Sequence, residues 1–158
     1  MFERYQQHLA TPSDIQHHLP LLFSLARGNV LELGTRGGVS TAALLAGVER
    51  QGGMLISVDI EDCSQVAAGH AQWAFWKGSS TDESMAQDIA TYAGPFSLIL
   101  IDTEHTFEQS QAELSLWGLL VRTGGTICMH DTETFPGVGR AAQEFADKHG
   151  WPITFVLP

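Results

Sequence analysis

The sequence predicts an α/β fold: a mostly parallel sheet of about six strands between two layers of helices. Three observations carry that expectation. Short apolar runs alternate with segments of helical periodicity, the pattern of strand–helix–strand crossovers. The run Phe96–Ile101 is almost wholly apolar, as expected of a parallel strand buried on both faces. Polar residues then interrupt the apolar pattern at the C-terminal ends of five successive strands, at Glu32 to Gly34, Asp59, Ser79, Asp102 and His130-Asp131. Open α/β sheets bind their ligands along that edge.

Residues 1–10 are polar and suit a short helix or a loose arm. Thr11-Pro12-Ser13-Asp14 has the composition of a helix start, with a hydroxyl cap, a proline and an early acid. Ile15, Leu19, Leu22, Phe23 and Ala26 follow at helical spacing, with Pro20 marking a bend or break. Gly28-Asn29 ends this N-terminal helical segment (1–27), and the core of a single domain (28–158) begins with a strand at 30–33. A crossover helix is expected at 40–48 and a second strand at 54–60, ending in Asp59. Residues 63–72 suit a helix weakened by Gly69, and 73–76 a short third strand. A helix at 82–92 stops at Gly94-Pro95 before the fourth strand, which ends in Asp102. The helix at 106–120 offers Phe107, Leu114, Trp117 and Leu120 as buried positions. A fifth strand at 126–129 ends in His130-Asp131, a helix follows at 138–148, and 151–157 reads as a sixth strand.

Bulk properties exclude several classes. The 158 residues carry a net charge of −10 with only eight Lys and Arg, so a general attraction to nucleic acid or an anionic membrane is not expected. No apolar run reaches the length of a membrane span, and Met1-Phe-Glu-Arg lacks a signal peptide's apolar core. Cys63 and Cys128 have no metal-ligand spacing and read as reduced thiols. A cytoplasmic location is the expectation. His17-His18 reads as surface or domain-capping, and Trp73, Trp76 and Trp117 as core or interface.

The chemistry concentrates at the first strand–helix turn. Gly34, Gly37 and Gly38 let the backbone approach a ligand, and the following helix presents free N–H groups to it. No Lys follows these glycines, so a phosphate loop is not indicated. Asp59, 25 residues after Gly34, stands where an acid can accept both ribose hydroxyls of a nucleotide cofactor. The dinucleotide spacing G-x-G-x-x-G is absent, because position 36 is Arg; the stretch reads E-x-G-x-x-x-G over Glu32, Gly34 and Gly38.

This stretch resembles motif I of class I S-adenosylmethionine-dependent methyltransferases. Further segments, at 13–22, 30–40, 96–108, 124–131 and 137–145, resemble the small-molecule O-methyltransferase-like branch of that family. The resemblance implies a Rossmann-like three-layer sandwich that binds S-adenosylmethionine and methylates a small-molecule acceptor, at a hydroxyl. It implies a cofactor cradle from Glu32, Gly34, Thr35, Arg36, Gly38, Ser40, Asp59, Ser79 and Asp102. Relatives often carry an acid where this chain has Ser79-Ser80. Asp102, His105 and His130 are the candidates for catalysis. Two readings stay open there: Asp102 and Asp131 bind Mg²⁺, or the reaction is metal-free with His105 or His130 as base. His130-Asp131-Thr132 departs from the two adjacent acids that metal-dependent relatives carry at the fifth strand. The family's seventh strand has no counterpart, so either the chain is truncated or the domain is minimal, with an edge that a second subunit could cover in a homodimer. The rivals are a non-catalytic cofactor-binding module and a nicotinamide-dependent oxidoreductase, which the glycine spacing disfavours.

Overall fold

Five parallel strands form one sheet in the order β3-β2-β1-β4-β5, as seen in a computed structural model that describes residues 1–156. The strands are β1 (Val30–Leu33), β2 (Leu55–Asp59), β3 (Trp73–Lys77), β4 (Phe96–Ile101) and β5 (Val121–Met129). The helices are α1 (Phe2–Leu9), α2 (Leu19–Leu25), α3 (Val39–Gln51), α4 (Glu83–Ala93), α5 (Phe107–Trp117) and α6 (Pro136–His149). Single 3₁₀ turns lie at Gln16–His18 and Gly118–Leu120.

The sheet divides two apolar clusters. Val30, Leu98 and Leu100 pack with residues of α1, α2 and α3, while Leu31, Leu33, Ile99 and Ile101 pack with residues of α4, α5 and α6. Alternation along a strand thus sends Leu31 and Leu33 to one face and leaves Glu32 on the α3 face. All four residues of β1 and all six of β4 are buried, as the apolar run predicted. Strand order reverses between β1 and β4, and this switch point places the glycine turn beside Asp102.

Three expectations are corrected. The N-terminal helix does not start at residues 11–14. The Asp14 carboxylate accepts the neighbouring Ile15 N–H at 2.9 Å, and the chain makes a 3₁₀ turn before α2 begins at Leu19. Pro20 falls in the first turn of α2, where its missing N–H costs nothing, so it marks the break between that 3₁₀ turn and α2, as expected, and does not bend the helix. Residues 63–72 form successive turns, not a helix: Asp62 accepts the Ser64 N–H, and Gly69 adopts φ 78°. The sixth strand is not formed within 151–156, and Leu157 lies outside the described residues. Trp151 instead donates its N–H to Ala146 and sets its ring edge-on to Phe145 at 5.4 Å, closing α6 after Gly150, and Pro152 has no N–H to offer a ladder.

Candidate functional site

The strand tips build two adjoining constellations. On the β1–β2 side, the Asp59 carboxylate clamps the glycine turn, its Oδ2 accepting the N–H groups of Thr35 and Arg36 at 2.8 and 2.9 Å. Its Oδ1 accepts the N–H of Glu61 at 2.9 Å. Burial pushes this carboxyl upward, but the backbone donors of Arg36, Glu61 and Thr35 outweigh it and hold Asp59 below the usual range. Ile60, directly after it, is 70% exposed. An apolar side chain left in solvent beside a clamped acid offers a face for a planar ligand.

Gly34 is the closest approach in the turn. It adopts φ 94°, and a Cβ built there would lie 1.9 Å from the Asp102 carbonyl oxygen. The glycine turn and the tip of β4 are therefore in direct main-chain contact. Arg36 holds φ 44° with a side chain 76% exposed, 3.7 Å from Asp14. Thr35 is buried, and its Oγ1 has no hydrogen-bond partner.

Glu32 lies one layer beneath the surface, not in the cradle wall. Its side chain is 0% exposed. Its carboxylate accepts the hydroxyls of Ser40 at 2.7 Å, Thr41 at 2.9 and 3.1 Å, and Ser57 at 2.6 Å. Trp73 Nε1 donates to Ser57 Oγ at 3.0 Å, which leaves the Ser57 proton for Glu32. Burial raises the Glu32 pKa to about 7 against the pull of these hydroxyls. The acid thus ties β1, α3 and β2 together and holds Ser40 from below. Ser79 stands on the exposed tip after β3, bonded to Thr81 at 2.8 Å, while Ser80 turns inward.

On the β4–β5 side, two acids and two histidines converge. His105 Nε2 lies 3.4 Å from Asp102 Oδ1 and 3.2 Å from Asp131 Oδ2. His130 Nδ1 lies 3.5 and 3.3 Å from the same two atoms. His130 Nδ1 is buried without a well-formed hydrogen bond. Asp102 raises the His130 imidazole above its usual range while burial pulls the other way. Burial likewise pushes Asp102 up, but His130 and His105 keep it below the usual carboxylate range. The His105 side chain is 26% exposed against 9% for His130, so His105 is the one open to a ligand. It stacks on Phe135 at 4.6 Å. Asp131 holds a left-handed φ of 57°, a backbone strain found where a side chain must be aimed.

One atom each from Asp102, His105 and Asp131 fall within 4.8 Å of one another, close enough to hold a metal ion. Two carboxylates suit a hard cation such as Mg²⁺, which takes one or two protein acids and fills its shell with water. A third histidine also joins the cluster: the His18 ring meets His130 edge-on at 5.7 Å. Nothing in the sequence signals this, because the contact depends on the 3₁₀ turn at residues 16–18.

A parallel sheet with a clamped glycine turn and an acid–histidine cluster across its switch point defines a doubly wound fold, the class whose members bind ligands at the strand tips. The chain belongs to a family described as "Methyltransferase domain", whose sequence model matches residues 31–132. Solved structures share the fold. MycE methyltransferase from the mycinamycin biosynthetic pathway, in complex with Mg and SAH, matches with TM-score 0.67 and 24% identity over 92% of this chain. This chain spans 44% of the length of MycE. An O-methyltransferase from Bacillus cereus in complex with SAH gives TM-score 0.64 and 20% identity, covering 92% of this chain and 76% of that one. CalS11, a TDP-rhamnose 3'-O-methyltransferase in calicheamicin biosynthesis, gives TM-score 0.65 and 15% identity, covering 98% and 88%. No curated protein matches the sequence. No described helix is long and apolar enough to cross a membrane.

Proposed function

We propose that the protein transfers a methyl group from S-adenosylmethionine to a hydroxyl of a small-molecule acceptor. The observation that carries this reading is the contact between Gly34 and the Asp102 main chain, which sets the glycine turn directly beside the acid–histidine cluster. Asp59 accepts the ribose hydroxyls, Ile60 covers the adenine, and the turn from Gly34 to Gly38 carries the sulfonium end toward Asp102. MycE with Mg and SAH and the Bacillus cereus enzyme with SAH support the choice of cofactor.

Methyl transfer from a sulfonium is an in-line displacement: the acceptor oxygen–carbon bond forms as the sulfur–carbon bond breaks, and the hydroxyl proton must leave. The protein's part is alignment and proton removal. His105 is the proposed base. Its Nε2 faces both carboxylates, so the Nε2–H is shared with them, Nδ1 is the nitrogen that takes the proton, and the two charges stabilise the imidazolium formed. Buried His130 keeps the two acids together from behind. Phe135, stacked on His105, limits the ring's rotation and offers the acceptor an apolar face.

Asp102 and Asp131 are the residues that would hold Mg²⁺, and the ion would supply a Lewis acid that lowers the acceptor hydroxyl's pKa. His105 Nε2 cannot both bind a metal and keep the proton it shares with the two acids. Magnesium's preference for oxygen leaves that nitrogen to the proton. Calorimetric titration with S-adenosylmethionine, S-adenosylhomocysteine and NAD tests the cofactor. Binding of NAD without any response to the two sulfur compounds overturns the reading. Once a pooled-metabolite screen has found an acceptor, turnover unaffected by EDTA removes Mg²⁺ from it.

A further inference from the structure

We propose that Glu113, in the middle of α5, is a positioning residue that sets the β3–α4 loop and the tip of β4 for cofactor binding. The proposal rests on the methyltransferase reading above. Gln109, Glu113 and Trp117 recur every four residues, so they share one face of α5. Glu113 is 0% exposed, on the opposite side of the sheet from Glu32.

Its donors come from the loops as well as from its own helix. Thr103 Oγ1 donates at 2.7 and 2.9 Å, Gln109 Nε2 at 2.9 Å, and Ser80 Oγ at 2.5 Å. Gln109 Nε2 also donates to Ser80 Oγ at 3.0 Å, so the Ser80 proton is committed to Glu113. Trp117 Nε1 donates to the Ser80 carbonyl at 2.6 Å. One helix face thus grips Ser80 three times. Ser80 follows Ser79 on the cofactor side, and Thr103 follows Asp102. The Thr103 methyl carbon lies only 3.5 Å from where a Cβ on Gly34 would stand. Displacing either loop moves a wall of the cradle.

Burying a carboxylate is costly unless its lone pairs are filled, and an apolar side chain would pack there without that cost. What the acid provides in return is a fixed loop geometry, because hydroxyls bond to it at one distance and direction. No part of this acid reaches the ligand surface.

The test compares S-adenosylhomocysteine affinity, by calorimetric titration, in the full chain and in Glu113→Gln, Ser80→Ala and Thr103→Val. Titrations run well below each variant's melting temperature, which is measured separately. Losing a hydrogen bond to a charged acceptor predicts affinity weakened about tenfold in Glu113→Gln and several-fold in each loop variant. Adding Ser80→Ala to Glu113→Gln is expected to weaken binding no further. Affinity unchanged within experimental error, whatever happens to the melting temperature, makes Glu113 merely structural and overturns the proposal. If Glu113→Gln does not fold, the two loop variants decide it by the same criterion. Absence of binding in the unaltered protein overturns the methyltransferase reading itself, an outcome distinct from unchanged binding in the variants.

Discussion

The two halves of the strand-tip edge are built to different standards of completion. On the β1–β2 side the two acids that organise the turn are satisfied: Asp59 holds three backbone N–H groups and Glu32 three hydroxyls. Each side has one left-handed non-glycine residue and one buried polar atom without a partner, Arg36 and Thr35 Oγ1 on the first and Asp131 and His130 Nδ1 on the second. On the β4–β5 side, however, the acids themselves face histidines, and five titratable side chains crowd together. Satisfied networks hold a shape, and strained or unsatisfied ones are stored where chemistry or a ligand completes them. On this contrast the first half, whose acids are satisfied, is the proposed cradle, and the second, where titratable groups crowd, the proposed reactive site.

If the halves divide the work in this way, side-chain changes in one should spare the other. The largest effect is expected from Asp102→Asn, which removes a charge that faces both histidines. Methyl transfer should fall by about 100-fold or more, the usual contribution of a supported general base. Affinity for S-adenosylhomocysteine should stay within a few-fold; a parallel loss of both would join the halves into one unit.

Gly34→Ala attacks the seam between them. The new methyl group meets the Asp102 carbonyl oxygen, and the positive φ adds strain, together about 3 kcal/mol or more. Both cofactor binding and melting temperature should drop. A variant with normal affinity would show that the two tips can separate freely.

Glu32→Gln probes the rigid side through pH. The folded-state pKa of about 7 stands above the ordinary 4.5, so the folded state keeps its proton while the unfolded chain has lost it. Stability from this group is complete below the unfolded value and is lost as pH rises from about 4.5 to 7, by about 3 kcal/mol in all. Urea denaturation at pH 5 and pH 8 should show that decline in the unaltered protein and lose it in Glu32→Gln. An identical slope in both would assign the pH dependence elsewhere.

Asp59→Ala is expected to have the smallest of these effects. It frees the Thr35 and Arg36 N–H groups, each a bond to a charged acceptor, and should weaken S-adenosylhomocysteine binding by about 1.5–3 kcal/mol. Unchanged affinity would remove this acid from the cradle.

Legibility followed the same division. The glycine turn and Asp59 were readable because they rest on local spacing: a strand ends, the chain turns, and the next strand ends in an acid. Asp102, His105, His130 and Asp131 were readable as strand-end residues, but nothing in their spacing tells which of two histidines is open and which is buried. Glu113 left no signal. In the sequence it sits on a helix among Glu108, Gln109 and Gln111, where an acid normally faces water. His17-His18 likewise read as surface or domain-capping; His17 is exposed, and only the turn before α2 brings the His18 ring to His130.

By itself the sequence determined a parallel sheet and the place of the glycine turn, because apolar runs and glycine spacing act over a few residues. The tertiary structure decided what each acid is for. Glu32 and Asp59 look alike along the chain, yet one is buried under three hydroxyls and the other closes the turn at the surface. That difference comes from which elements pack over each side chain, and packing joins residues far apart in the chain. The last strand fell to the same cause. Residues 151–156 carry strand-like composition, but Trp151 bonds and packs at the end of α6, and no ladder forms within 151–156.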